Sequence, residues 1–215
     1  MGLWHVFYED WQMECCGTPF SVGDEVSWPL LLVTGGDMLG GGWHDQLTKV
    51  VGPVEDGVLR DEHGLEVAVR ARTGRSTRLV GLLTVETHGA KLPEVRGRVR
   101  AVQVVTQAYA RPESGDGAWE PVPRERWLKA VESCPKWFGD KEAGTGPDGR
   151  ARRHRGAGVV ATVEVPGTDS WLSYAVREAS GLPADAPPGA ETADLDADSL
   201  AALLETFSTV RGRPR

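Results

Sequence analysis

Between Leu3 and Met13 the chain reads LWHVFYEDWQM, with apolar side chains first on both faces and then on alternate positions of the strand that its Val and aromatic residues favour. Such a strand has to be covered on both sides, so the stretch demands a closed or layered β architecture. Gly17-Thr18-Pro19 breaks the run, and Phe20 to Trp28 resumes it around Gly23-Asp24, a turn pair in which Gly tolerates positive φ and Asp bonds its own backbone. Three of the eight tryptophans and two of the three cysteines lie between Trp4 and Trp28.

The rest of the chain continues the β pattern. Leu30 to Val33 leads into a glycine-rich loop from Thr34 to Trp43; Gln46 to Val54 and Val58 to Arg72 are then broken by Asp56-Gly57 and His63-Gly64. Asp-Gly between apolar runs is a hairpin signal, and residues 79–87 and 95–109 extend the series. In 123–134 the spacing of Trp127, Leu128, Val131 and Cys134 fits a helix, but the stretch is too short to decide and helix or strand stays open. Residues 139–158 read as loop and 158–165 as a strand. A short helix over 169–180 is ended by Gly181, and Leu200, Leu203, Leu204 and Phe207 form the apolar stripe of a last helix from about Asp196, which caps it. The expected fold is mainly β with α+β character: an antiparallel meander forming a small barrel or half-barrel, SH3- or OB-like, plus two peripheral C-terminal helices. The expected division is a barrel-like domain over 1–165, the short helix over 166–182, a Pro/Ala linker over 183–193, and the amphipathic helix and tail over 194–215.

Composition bounds the setting. Three cysteines without framework spacing suggest a reducing compartment. With no leader pattern and no apolar run long enough to span a bilayer, the expected location is cytoplasmic. Arg outnumbers Lys 19 to 5 and neither Asn nor Ile occurs, the mark of a G+C-rich coding sequence. The net charge is −7, yet residues 1–66 carry 2 basic and 12 acidic side chains whereas 67–111 carry 9 and 2. That layout means either balance across a folded sheet or a basic face for an anionic partner.

The run Tyr8-Glu9-Asp10-Trp11-Gln12-Met13-Glu14-Cys15-Cys16-Gly17, together with Val22-Gly23-Asp24-Glu25-Val26-Ser27-Trp28, resembles the opening of an actinobacterial protein family of unknown function. Fainter echoes occur at Gly97 to Val105 and at Pro135-Lys136-Trp137-Phe138. The resemblance implies no activity.

Several residue groups invite chemistry. Arg96, Arg98 and Arg100 share one face of a strand, and with Trp119 they would form a basic, aromatic surface for a single-stranded nucleic acid. Trp43, Trp119 and Trp137, at loop or element ends, are ligand candidates; Trp4, Trp28 and Trp127 are assigned to the core. Arg150, Arg152, Arg153, His154 and Arg155 form a second basic cluster. Cys15 and Cys16 with His44 and His88 offer metal ligands, although neighbours on a strand point to opposite faces and buried apolar thiols are the simpler reading. Gly35-Gly36-Asp37 and Gly40-Gly41-Gly42 lack the Lys-Ser/Thr of a phosphate loop and read as a plain loop. No Gly-x-Ser-x-Gly and no His-Glu-x-x-His occurs, so nothing points to those hydrolase classes.

The function expected from the sequence is therefore a cytoplasmic binding or interaction module without evident catalysis and without a cofactor. Its expected protein-docking element is the C-terminal helix with Leu200, Leu203, Leu204 and Phe207. The alternatives are a weak single-strand nucleic-acid binder through the arginine face, and a metalloprotein or enzyme using Cys15, Cys16, His44 and His88.

Overall fold

In the computed structural model, which describes residues 1–34, 38–70, 74–88, 92–113, 117–183, 186–187, 190, 199–200 and 202–204, the aromatic opening is a strand only as far as Glu9. This strand, β1 (Gly2–Glu9), runs antiparallel to the last strand, β10 (Ala151–Val165), from Gly2 opposite Val165 to Glu9 opposite Gly158. Between them in sequence lie β2 (Glu25–Thr34), β3 (Thr48–Glu55), β4 (Val58–Arg60), β5 (Glu66–Val69), β6 (Gly74–Val85), β7 (Glu94–Ala110), β8 (Glu120–Val131) and β9 (Asp140–Thr145). The chain also carries the helices α1 (Asp10–Cys15) and α2 (Trp171–Ala179).

The strands follow the order β8-β7-β2-β5-β4-β3-β6-β1-β10-β9, and an added β7–β10 pairing closes eight of them into a barrel. β8 and β9 remain outside the ring, on the free edges of β7 and β10. The expected barrel is therefore present, but its connectivity is not an antiparallel meander. β1 runs parallel to β6 and β2 parallel to β5, and β2 also pairs directly with β6 across the ring. The Asp56-Gly57 hairpin between β3 and β4 is as expected, with both residues at positive φ.

Both faces of β1 are covered, as its sequence demands. Trp4, Val6 and Tyr8 point into the interior with Leu83, Val99, Val159 and Val163. Leu3, on the opposite face, lies under α2 with Leu172 and Val176, and Phe7 lies under the loop that carries Trp43. The serines at the start of α2 stitch it to β1: the Leu3 amide donates to Ser173 Oγ at 2.6 Å, and Ser170 Oγ donates to the Leu3 carbonyl at 2.5 Å while accepting the Ser173 amide. Two backbone groups that no neighbouring strand reaches are thereby satisfied.

Four more expectations change. Residues 10–15 are a helix, which turns the chain so that Met13 closes one end of the interior. Residues 123–134, left open, are mostly the edge strand β8, and Trp127 is 46% exposed there rather than in the core. Residues 139–158 form the β9–β10 hairpin instead of a loop. In the last helix, Leu200 and Leu204 pack on Leu3, Ala101, Leu172 and Val176 of the same chain, so the described leucines of the stripe expected to dock a partner cover the outside of the barrel. Asp196, Phe207, most of the linker, the tail, and Gly35-Gly36-Asp37 lie outside the described residues. Among the described residues no helix is long and apolar enough to cross a membrane.

Candidate metal centre

The helix at 10–15 changes what the adjacent cysteines can do. On a strand they would diverge; at the end of α1 both are exposed, and the Cys15 and Cys16 sulfurs and a His88 ring nitrogen lie within 4.8 Å of one another. Cys16 Sγ is 3.4 Å from His88 Nε2. Cys134, the third thiol, is buried, and burial pushes it up to about 12, which makes it chemically inert near neutrality. His44 is not part of the group; it lies beside Arg124 and Arg126.

The orientation of His88 follows from a chain of hydrogen bonds that begins in the core. Gln12, 2% exposed, donates its side-chain amide to the Val85 carbonyl at 2.8 Å, so its Oε1 is free to accept. Thr87 donates both its backbone N–H and its hydroxyl to that oxygen, at 3.1 and 2.8 Å. A hydroxyl has one proton, so Thr87 Oγ1 has to accept from His88 Nδ1, 2.9 Å away. The proton is thus placed on Nδ1, and Nε2 turns its lone pair toward Cys16, the tautomer that ligates a metal. Trp11 lies over the imidazole with ring centroids 4.9 Å apart, and its indole N–H is held by Glu9 at 2.8 Å. Lys136 caps the C-terminal end of α1, donating to the carbonyls of Met13 and Gly17. The Cys15 thiol sits above its ordinary value, chiefly because of its hydrogen bond with Cys16 and then the charge of that neighbour.

The other residues singled out in the sequence do not gather. Arg98 pairs with Glu25 at 3.0 Å and Arg100 faces Glu164 at 3.9 Å, so this face is largely neutralised within the chain. Trp119 lies near the far end of β7, beside Tyr109; eleven residues of strand between Arg98 and Tyr109 span roughly 35 Å. The Trp119 ring is covered by Arg153 at 4.7 Å and Arg111 at 5.5 Å. Trp43 is buried at 1% exposure, and Trp137 is 70% exposed. In the second basic cluster Arg150 pairs with Glu120, Arg152 with Asp148, Arg153 with Asp140 and Arg155 with Asp10.

The family of unknown function DUF6578 matches residues 2–171, the whole barrel and the first residue of α2. The chain belongs to that family. No curated protein and no solved structure matches it. All three ligand candidates lie within the matched span. Sequence reading had named them among four, but Gln12, Thr87 and Trp11, which position the histidine, carry no signal at sequence level because their roles depend on β6 ending beside α1.

Proposed function

We propose that this chain is a binding protein whose site is Cys15, Cys16 and His88, taking one thiophilic d10 cation, Zn²⁺ or Cu⁺. The distance between Cys16 Sγ and His88 Nε2 carries the reading. In a tetrahedral zinc site with Zn–S of about 2.3 Å and Zn–N of about 2.0 Å, a sulfur and a nitrogen ligand stand roughly 3.5 Å apart, and this pair stands at 3.4 Å. The Cys15 sulfur lies within 4.8 Å of both, on an exposed residue at the end of α1. Two thiolates and an imidazole select soft or borderline ions over Mg²⁺ or Ca²⁺. Three protein ligands leave a fourth position for water or for a group from a partner.

Anaerobic titration of the reduced protein with Zn²⁺ and with Cu⁺, each against a chromophoric chelator, should give one equivalent bound. Cys16→Ser and His88→Gln should each abolish that stoichiometry, and Thr87→Val should weaken binding by about tenfold or more through the misplaced imidazole. No stoichiometric binding of either ion, or binding indifferent to Cys16→Ser, would overturn the proposal.

A nucleic-acid reading keeps a single observation in its favour, the cluster of Trp119, Arg111 and Arg153. It predicts oligonucleotide binding that weakens as salt is added. Affinity unchanged between low and moderate salt would contradict it.

A further inference from the structure

The glycine-rich turn that carries Trp43 packs over Phe7 of β1 and meets β8. The turn Met38–Gly40 and the residues after it wind through positive φ at Leu39, Gly40, Gly41 and Gly42, a left-handed path that glycine makes accessible. Trp43 anchors it: its indole N–H donates to the Met38 carbonyl at 2.7 Å, and its ring packs against Phe7 with centroids 4.9 Å apart. Opposite stands a bulge in β8. The register with β7 jumps between Gln107 and Tyr109, and the fully buried Gln107 holds the bulge by donating to the Val122 carbonyl at 2.8 Å. Arg124 sits in this bulge at φ 66, a left-handed conformation that is strained for a non-glycine residue. Bulges of this kind re-aim side chains, and backbone strain gathers at binding sites.

Between turn and bulge is a cavity of about 480 Å³ lined by Gly42, His44, Asp45, Gln46, Arg124, Arg126 and Leu128. The Arg126 guanidinium carbon lies over the Trp43 ring, 3.7 Å from its centroid, and the group gives one N–H to the Leu39 carbonyl. Its Nε and Nη1 are buried without a partner. Among the described residues neither Arg124 nor Arg126 has an ion-pair partner, whereas Arg150, Arg152, Arg153 and Arg155 all do. Burial pulls Arg126 down to about 10, the mark of a cation that lacks a counter-charge. Cationic guanidinium groups without a counter-charge on a cavity wall attract a carboxylate or phosphate.

From this juxtaposition we infer that the cavity binds a small organic molecule through an oxyanion group, held by Arg126 and Arg124, with its apolar body toward Leu128. The volume suits a metabolite-sized ligand. Asp45 on the lining sets one negative charge against the two arginines, which favours a singly charged group over a polyphosphate. The inference is independent of the metal site, since the two share no residue.

Isothermal titration with benzoate, phenyl phosphate and benzyl alcohol tests it. One or both anions should bind at a single site, benzyl alcohol should not, and Arg124→Ser should weaken binding by about tenfold or more. Arg124 is exposed, so this variant should keep its fold; Arg126→Met should abolish binding, and its thermal melting reports whether lost stacking on Trp43 has unfolded it. The better-bound anion assigns carboxylate or phosphate chemistry. Absence of binding by both anions at ~5 mM, equal binding of benzyl alcohol, or unchanged affinity in Arg124→Ser would each refute the inference.

Discussion

β7 and β10 form one antiparallel ladder, from Arg98 opposite Glu164 to Ala110 opposite Arg152, yet its two halves are held in different ways. In the half that closes the barrel, Val99, Val102, Val159, Ala161 and Val163 are buried inside an apolar interior. In the half that extends beyond it with β8 and β9, Arg150, Arg152, Arg153 and Arg155 each meet a carboxylate. The hydrogen-bonded ladder is common to both, so what differs is what covers its faces: apolar burial at roughly 25 cal/mol per Å² on one side, and ion pairs worth about a kcal/mol or less on the other. The barrel half should therefore carry the stability and the extension should be replaceable.

The sharpest way to break that contrast is Gly158, where the halves meet at a register shift. It sits at φ +130, and a Cβ added there would collide with the Tyr8 carbonyl oxygen and the backbone of Glu9 and Asp10. Gly158→Val should destabilise by about 4 kcal/mol or more, combining a forbidden φ with a clash that no side chain can relieve. Urea unfolding followed by tryptophan fluorescence would measure it. A loss below ~1 kcal/mol would mean that the barrel half is not the cooperative unit.

Acid should separate the halves next. Burial pushes the His5 imidazole on β1 down to about 4 from 6.5, with Nδ1 3.1 Å from the Thr162 hydroxyl. The unfolded chain takes up that proton first, so stability is full above pH 6.5, falls as pH drops toward 4, and levels off below. For this partly exposed ring the loss is ~1–3 kcal/mol. His5→Gln should flatten the slope in that window. Asp148, in the extension, is held below 3.8 by its Arg152 hydrogen bond, so its contribution is present above 3.8 and disappears only at lower pH. Acid thus reaches the barrel before the extension, the reverse of an expectation based on counting ion pairs.

Arg152→Met is a gentler test. Arg152 is 7% exposed, but Asp148 and Glu125 are better solvated and would return to water without it. The expected loss is about 1 kcal/mol, since the methionine keeps the packing and no charge is left buried alone. A loss near 3 kcal/mol would show the extension to be a cooperative part of the barrel.

The same division explains what the sequence could say. The barrel was legible because burial on both faces of Leu3 to Tyr8, and the valines of β7 and β10, are local facts about each strand. The parallel β1–β6 and β2–β5 pairings were not, because strand order depends on long-range closure that no window of residues encodes. Asp10 to Cys15 misled because six residues fit an alternating strand and a helical turn equally well. The candidate ligands Cys15, Cys16 and His88 were nameable as residue types, but their convergence awaited the turn of α1. Arg124 and Arg126 stand apart from the longer arginine runs in the sequence, and only the fold sets them together on one cavity wall.

The smallest expected effect concerns the arginine face itself. Glu25 pairs with Arg98 across β2 and β7, both more than half exposed. Glu25→Gln should change stability by less than about 0.5 kcal/mol, because two solvated side chains give up little on separation and salt already screens them. Its value lies elsewhere: it removes an acidic neighbour and unmasks Arg98 beside the exposed Arg96. If Arg96, Arg98 and Arg100 serve an anionic partner and Glu25 only tempers them, an oligonucleotide should bind the variant more tightly, with a steeper salt dependence. If the charge segregation exists to join the acidic first third of the chain to the basic strands, neither stability nor binding should move. Fluorescence anisotropy at two salt concentrations separates the two, and the ion pairs Arg98–Glu25 and Arg155–Asp10 favour the second result.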